Sequence, residues 1–171
     1  MNNHTHSQHA STLQWRMQSD VYDLYLTASS VGLMSILTTP RAVAMSQSLT
    51  DDLPQVRILA QAVTELEQYF AGERREFDVA LAPIGSPFQI AVWQQLRGIP
   101  YGETRSYKEI AAAISQPKAV RAVGSANGRN PLCIIIPCHR VIAADGSLGG
   151  YSGGLDLKSR LLDLEQKKAM P

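Results

Sequence analysis

Apolar and polar residues along the first half of the chain follow two different periods. Residues 21–37, VYDLYLTASSVGLMSIL, predict a hairpin of two strands around a Ser-Ser-Val-Gly turn. Over residues 55–72 the apolar positions recur at three- and four-residue steps, which predicts an amphipathic helix that ends at Gly72. Residues 77–81 alternate again and predict another strand. We therefore expect a small unit in which a helix packs on a sheet.

The second half of the chain carries helical patterns separated by short breaks. Ser86 and Pro87 predict a helix start, with the serine as cap, and the apolar stripe of this helix runs to about Arg97. A second helix is predicted over 107–114 and a third over 118–126, with a Gln-Pro break between them. Two helices joined by so tight a break predict a helix-turn-helix.

A continuous apolar run follows a turn near the middle of this half. The sequence NGRNP contains Asn-Gly and Asn-Pro, both typical of turns. The run at 132–136, LCIII, then predicts a buried strand that Pro137 ends, because proline cannot donate to a strand ladder. A last helix is predicted at about 157–166.

These elements predict an α+β fold made of two domains. The N-terminal one, at 15–85, is a small α/β domain with a hairpin sheet and a helix. The mainly helical C-terminal domain, at 86–171, contains the helix-turn-helix and the short strand that carries Cys138. Residues 1–14 are polar and are expected to form a disordered tail, whose histidines have no acidic or thiol companion, so we expect no metal site.

Charge is divided unevenly between the two halves. Residues 1–87 hold five arginines against nine acidic residues, a net of −4, and residues 88–171 hold eleven basic against six acidic residues, a net of +5. The basic half permits a polyanionic partner on that side, although a solvated basic face explains the same charge.

The composition of the chain predicts its cellular compartment and the redox state of its two cysteines. The chain has no signal-peptide pattern and no run of about 18 apolar residues, so we expect a cytoplasmic protein without a membrane partner. Its two cysteines, Cys133 and Cys138, would lie on opposite faces of one strand, which argues against a disulfide between them. We expect two free thiols, with Cys133 buried and inert.

Cys138 and His139 stand side by side at the predicted exit from the core. A thiol attacks as its thiolate, which requires a nearby base, and the base works best when a third group orients it. Glu165 lies on the face of the last helix that Leu161 and Leu162 share, where a carboxylate needs a partner. We therefore expect the triad Glu165, His139 and Cys138, against the alternative of a structural thiol and an ordinary salt bridge.

Two further stretches frame this triad. In KAVRAVGSAN the small residues suit either close packing inside the protein or close approach to an external surface, and Arg121 must reach solvent, an acid or an external partner. The stretch GGYSGG has two glycine pairs around Tyr151 and Ser152, which predicts a loop beside a ligand.

Four stretches of the second half together resemble the O6-alkylguanine-DNA alkyltransferases, also called methylated-DNA–protein-cysteine methyltransferases. They are FQIAVWQQLRGIPYGETRSY, KAVRAVGSANGRNP, IIIPCHRVI and GGYSGG. The resemblance covers roughly residues 86–166, and PCHRV preceded by an Asn-Pro turn is highly specific. Over the first half the similarity is architectural. The cysteine-bound zinc of some members has no counterpart, because no cysteine precedes Cys133.

The resemblance implies a role for each residue of the site. Cys138 would accept the alkyl group, His139 would act as its base through a water, and Glu165 would align His139. Asn130 would fix the turn beside them. The residues implied at the flipped base and the DNA are Tyr107, Arg121, the carbonyls of Cys138 and Val141, Tyr151 as a wall, Ser152 at the guanine oxygen, and Ala122, Ser125 and Ala126 on a helix in the minor groove.

The implied activity is single-turnover repair of O6-alkylguanine in double-stranded DNA, by a monomer without a cofactor. A flipped base is needed because a base inside a duplex is out of reach. Three alternatives stay open: a lesion-binding alkyltransferase-like protein, which would lack the cysteine; a Cys-His hydrolase, which gives Arg121 no role; and a transcription regulator, which leaves PCHR and GGYSGG unexplained.

Overall fold

The computed structural model describes residues 12–19, 22–151 and 153–169 and has an α+β fold. It begins with a three-stranded antiparallel sheet of order β1-β2-β3, made of β1 Leu13–Met17, β2 Leu24–Ala28 and β3 Leu33–Leu37. The predicted hairpin is β2 and β3. Most of the predicted disordered tail, residues 1–11, lies outside the described residues, but its end is corrected, because Leu13 and Gln14 pair in β1.

The helix predicted over 55–72 is confirmed as α1, Pro54–Ala71. Its buried stripe, which includes Leu59 and Leu66, packs on the sheet. Gly72 follows it with φ of 75°, a left-handed conformation that glycine adopts without strain, and this residue ends the helix as expected.

The strand predicted at 77–81 is wrong. Only Leu81 pairs, in a single bridge with Leu33. The backbone N–H groups of Asp78 and Val79 instead donate to the buried carboxylate of Glu65, at 3.0 and 3.2 Å. A side chain thus satisfies the groups that a strand ladder would have used, which apolar alternation could not reveal.

The helices predicted in the second half are present. They are α2 Pro87–Arg97, α3 Tyr107–Ala113, α4 Val120–Gly128 and α5 Leu155–Ala169. Two-residue strands β4, Arg105–Ser106, and β5, Val141–Ile142, pair in parallel. Ser86 and Ser106 each close a capping box at the start of their helix. Helix α4 begins two residues later than expected, and α3 and α4 form the helix-turn-helix pair.

The buried strand predicted at 132–136 is also wrong. Leu132 makes one bridge to Ile36, and the chain then curls on itself, with Ile136 N–H donating to the Leu132 carbonyl at 2.8 Å. Ile134 has φ of 75°, which no strand allows. The run is buried as expected. The side chain of Asn130 bonds to both of its ends: it accepts from Leu132 N–H at 3.0 Å and donates to the Ile136 carbonyl at 2.7 Å.

The backbone at the cysteine is likewise not extended. Cys138–Arg140 form one turn of 3₁₀ helix after Pro137, so the cysteine is carried by this turn and not by the predicted short strand. This turn leads directly into β5.

The two halves of the chain share buried contacts. Ile36 N–H donates to the Pro131 carbonyl at 2.8 Å, and the Cys133 thiol donates to the Ile36 carbonyl at 3.2 Å. The buried apolar residues form one cluster with members from both halves. The boundary at residue 85 stays a prediction. Within the described ranges, none of the helices has both the length and the apolar composition needed to cross a bilayer.

Candidate active site

Cys138 lies at the start of the 3₁₀ turn with no exposed surface. Burial raises the pKa of its thiol, and the Asn130 and Tyr151 side chains and the Lys158 charge partly offset this. The resting group is therefore a thiol that needs a base before it can attack.

Cys133 is buried differently. It is 6% exposed, its thiol donates to the Ile36 carbonyl, and burial raises its pKa far above the ordinary value. Both cysteines are free. These surroundings match an inert Cys133.

His139 is fully buried and held by Glu165. Its Nε2 lies 2.9 Å from Glu165 Oε1. Because the carboxylate only accepts, we assign the ring proton to Nε2, which leaves the Nδ1 lone pair available. Nδ1 has no hydrogen-bond partner in the part of the chain that the structure describes. Burial lowers the pKa of His139 and Glu165 partly offsets this, so the imidazole is neutral near pH 7.

Glu165 is the most heavily bonded side chain of the site. Its carboxylate accepts from His139, from the Tyr69 hydroxyl at 2.7 Å, from Gly102 N–H at 3.0 Å and from Arg140 Nε and Nη2, both at 2.9 Å. Burial disfavours its charge, but the hydrogen bonds from His139 and Arg140 prevail and hold its pKa far below the usual range. Glu165 is therefore a carboxylate throughout the working pH range.

Three residues of this site were missed from the sequence: Tyr69, Arg140 and Lys158. The ammonium of Lys158, a residue with no exposed surface, donates to the Val141 carbonyl at 2.6 Å and to the Leu148 carbonyl. The sequence contained a signal for Lys158, because this residue precedes Glu165 by seven positions and so lies on the same face of the last helix. Tyr69 gave no such signal, since a tyrosine on an apolar helix face resembles any core residue.

Tyr107, at the start of α3, lies against the glycine loop at 149–151. The Tyr107 hydroxyl lies 3.5 Å from the Gly150 carbonyl. A Cβ at Gly149, whose φ is 64°, would lie 2.9 Å from that hydroxyl, so glycine is needed there. Burial and then the Cys138 charge raise the pKa of Tyr107, so its hydroxyl keeps its proton at neutral pH.

Tyr151 borders both thiols, and its hydroxyl is buried without a well-formed hydrogen bond to a described residue. Burial raises its pKa well above the ordinary value, so the hydroxyl keeps its proton. Ser152, predicted to face the guanine oxygen, lies outside the described residues.

Helix α4 presents its two faces differently. Arg121, Ala122 and Ser125 are exposed, as a DNA-facing surface requires. Ala126 is corrected: its side chain is 1% exposed, and its carbonyl accepts from Trp93 Nε1 at 2.9 Å, so it belongs to the core. Gly124 lies against Tyr107, where a Cβ would be 3.9 Å from the ring. The small residues of α4 therefore serve internal packing on one side and leave the other side open.

The two backbone carbonyls predicted to contact the base already accept hydrogen bonds. The Cys138 carbonyl accepts from Asn127 Nδ2 at 3.3 Å and from Val141 N–H, and the Val141 carbonyl accepts from Lys158. A carbonyl oxygen has two lone pairs, so the Val141 carbonyl keeps one for a further donor, whereas a further donor at the Cys138 carbonyl competes with the bonds already there.

Fold and site together define an α+β protein in which a buried cysteine, histidine and glutamate lie beside a helix-turn-helix. The description "6-O-methylguanine DNA methyltransferase, DNA binding domain" matches residues 87–167, and "6-O-methylguanine DNA methyltransferase, ribonuclease-like domain" matches residues 16–83. The chain belongs to the 6-O-methylguanine DNA methyltransferase family, which confirms the family and the α+β fold inferred from the sequence.

Known relatives are similar to this protein along most of its chain. A methylated-DNA–protein-cysteine methyltransferase of Methanosarcina barkeri is 55% identical over 116 residues, 68% of this chain and 73% of the relative. One of Mycolicibacterium paratuberculosis is 51% identical over 147 residues, 81% of this chain and 89% of the relative. The structure of Mycobacterium tuberculosis OGT in complex with DNA superposes with a TM-score of 0.78 at 44% identity, over 91% of this chain and 94% of that chain.

Proposed function

We propose that this protein repairs DNA by moving the alkyl group of O6-alkylguanine onto its own Cys138, once per molecule, in the cytoplasm. The observation that carries the proposal is the state of His139, the residue next to the buried Cys138: its Nε2 is held by buried Glu165, while its Nδ1 has no hydrogen-bond partner among the described residues. The family and the relatives named for methylated DNA support the substrate.

The transfer is a displacement at the alkyl carbon. His139 Nδ1 takes the Cys138 proton through a water, and the sulfur forms a bond to the carbon as the bond from carbon to guanine O6 breaks. The electron pair of that bond goes to guanine, which gains one proton from the Tyr107 hydroxyl; Tyr107 is reprotonated from solvent and His139 releases its proton there. The products are a neutral guanine and a thioether.

The carboxylate of Glu165 allows His139 to act as a base although it is buried. Glu165 stabilises the imidazolium that forms for a moment and holds the ring through Nε2, which leaves Nδ1 to receive the proton. A thioether, unlike a thioester, is not hydrolysed by a water that a general base activates, so Cys138 stays alkylated and the protein acts once.

The flipped guanine is recognised by groups around the thiol. The carbonyls of Cys138 and Val141 accept from its amino group, Tyr107 donates to its ring, Tyr151 forms the wall, and Ser152 faces O6. Asn130 fixes the curled chain that leads to Cys138, through its bonds to Leu132 and Ile136.

Helix α4 approaches the minor groove through its exposed face. Ala122 and Ser125 are small enough to let the backbone come close, and Arg121 fills the space that the flipped nucleotide leaves. The net charge of +5 over residues 88–171 favours the phosphates on this side.

The test incubates the protein with a short duplex that contains one O6-methylguanine and then weighs the intact protein. We expect a gain of one methyl group per molecule, located on Cys138 by peptide mapping. Cys138→Ala should gain none, while Cys133→Ala, the matched control, should react in full because its thiol is enclosed elsewhere.

Two other outcomes reject the proposal. Tight binding of the methylated duplex with unchanged protein mass indicates a lesion-binding protein. Release of more than one product per molecule indicates a hydrolase.

A further inference from the structure

The N-terminal half contributes one side chain directly to the triad. Tyr69 lies on α1, has no exposed surface, and donates its hydroxyl to Glu165 Oε1 at 2.7 Å across 96 residues of sequence. The same oxygen accepts from His139 Nε2 at 2.9 Å. Tyr69 therefore shares the carboxylate oxygen on which the orientation of His139 depends.

The ring of Tyr69 has little freedom to move its hydroxyl elsewhere. Its centroid lies 5.6 Å from that of Phe70, 5.5 Å from that of Phe77 and 6.1 Å from that of Tyr101. Burial is the main cause that raises its pKa well above the ordinary value, so it keeps its proton. The hydroxyl is thus a fixed donor at every working pH.

We propose that Tyr69 is a positioning residue for alkyl transfer, which acts through Glu165 to set how His139 is held and thereby how readily Cys138 is activated. This inference rests on the proposed function. It assigns the N-terminal half a part in the chemistry, in addition to its part in folding.

The direction of the effect follows from the charges around His139. Glu165 and Lys158 face it from α5 and Arg140 from its own turn; Glu165 favours the imidazolium, and the two cations disfavour it. A donor on Glu165 Oε1 draws negative charge away from the bond to His139. Without the Tyr69 hydroxyl, Glu165 binds the imidazolium more strongly, and the pKa of His139 moves up.

The experiment compares Tyr69→Phe with Tyr101→Phe in single-turnover methyl transfer from the methylated duplex, between pH 5 and 9. Tyr101 is the matched control, since it belongs to the same ring cluster and its hydroxyl has no hydrogen-bond partner within the described segments. We expect Tyr69→Phe to lose about tenfold in rate near pH 6 and to recover toward the original rate above pH 8. Tyr101→Phe should keep the original profile, and neither variant should change DNA affinity.

A second arm is independent of activity. Histidine ring shifts in NMR should show His139 titrating at a higher pH in Tyr69→Phe than in the unaltered protein. Replacement of Tyr69 alone by 3-fluorotyrosine, a stronger donor, should move both the titration and the acid limb of the rate to lower pH. This variant keeps the hydrogen bond, so it also serves if Tyr69→Phe does not fold.

The proposal is overturned if Tyr69→Phe keeps the original profile and titration, if the 3-fluorotyrosine protein shows no shift, or if both phenylalanine variants change alike. An unaltered protein that takes up no methyl group rejects the proposed function instead. The NMR titration then still decides whether Tyr69 acts on His139.

Discussion

Lys158 shows how one residue can serve the site without touching the reacting atoms. Its ammonium connects α5 to the carbonyls of Val141 and Leu148, at the two ends of the segment between the cysteine turn and the glycine loop. Its charge also lowers the pKa of Cys138, against the larger effect of burial. Lys158 therefore affects both the position of the loop and the ease of forming the thiolate.

We predict that Lys158→Met slows methyl transfer at neutral pH and reduces the free energy of unfolding by about 1–3 kcal/mol, because the buried carbonyl of Val141 and the partly buried carbonyl of Leu148 lose their donor. Urea unfolding and single-turnover rates measure the two effects. Lys167→Met is the control, since Lys167 is exposed on the same helix and should change neither quantity. Equal behaviour of the two variants would contradict the role of Lys158.

The residues that could be predicted were those whose chemistry stands out in the sequence. A cysteine beside a histidine raises the question of a base, and Glu165 on an apolar face raises the question of its partner; the structure brings the histidine and glutamate to 2.9 Å. Tyr69 and Lys158 could not be assigned, because their roles depend on which helices pack together. Burial of a polar side chain becomes meaningful only once the fold is known.

Among the elements, helix α3 is the one whose N-terminal capping residues adjoin a residue of the site, Tyr107. Ser106 Oγ accepts from Glu109 N–H at 3.2 Å, and Glu109 accepts from Ser106 N–H at 2.7 Å. Tyr107 is the first residue of that helix. The capping box thus fixes the direction from which Tyr107 reaches the loop.

We predict that Ser106→Ala lowers the free energy of unfolding by about 1 kcal/mol and also slows methyl transfer, because Tyr107 loses part of its support. Ser86→Ala removes the equivalent capping box of α2 and should cost similar stability with an unchanged transfer rate. Thermal unfolding and rapid-quench kinetics compare them. A normal rate in Ser106→Ala would show that Tyr107 is positioned by other contacts.

The helices and the hairpin could be predicted from the sequence, because their backbone N–H and carbonyl groups bond to each other within the same helix or hairpin. Two predicted strands failed: 77–81, in which Val79 is buried between exposed neighbours, and 132–136, which is apolar and buried throughout. In both, a side chain, that of Glu65 or Asn130, takes the backbone hydrogen bonds. Apolar patterning reports burial, and it cannot report which group satisfies a buried N–H. The helices α1, α2 and α3 had cap or stop residues in addition to periodicity, and they were found almost residue for residue.

At the scale of the whole molecule, the two halves are connected by buried polar bonds as well as by apolar packing. Ile36 accepts from Cys133 and donates to Pro131, and Tyr69 donates to Glu165. Breaking these connections would leave buried groups without partners on both sides. We therefore expect the halves to unfold together.

The two tryptophans test this expectation, because Trp15 lies in β1 and Trp93 in α2. In the single-tryptophan variants Trp15→Phe and Trp93→Phe, urea titrations followed by fluorescence and by far-ultraviolet circular dichroism should give one coincident midpoint within each variant. A fluorescence midpoint of Trp15 that precedes the loss of helix would show instead that the sheet unfolds separately.

The absence of any exposed surface on Cys138 has a consequence for how long a molecule lasts. A protein that is consumed by a single transfer is wasted whenever a freely diffusing electrophile or oxidant reaches its sulfur first. Because Cys138 is enclosed and rests as a thiol instead of a thiolate, it stays unreacted until a flipped alkylated guanine enters the pocket. Concealment thus preserves the cell's supply of unused acceptors between encounters with damage.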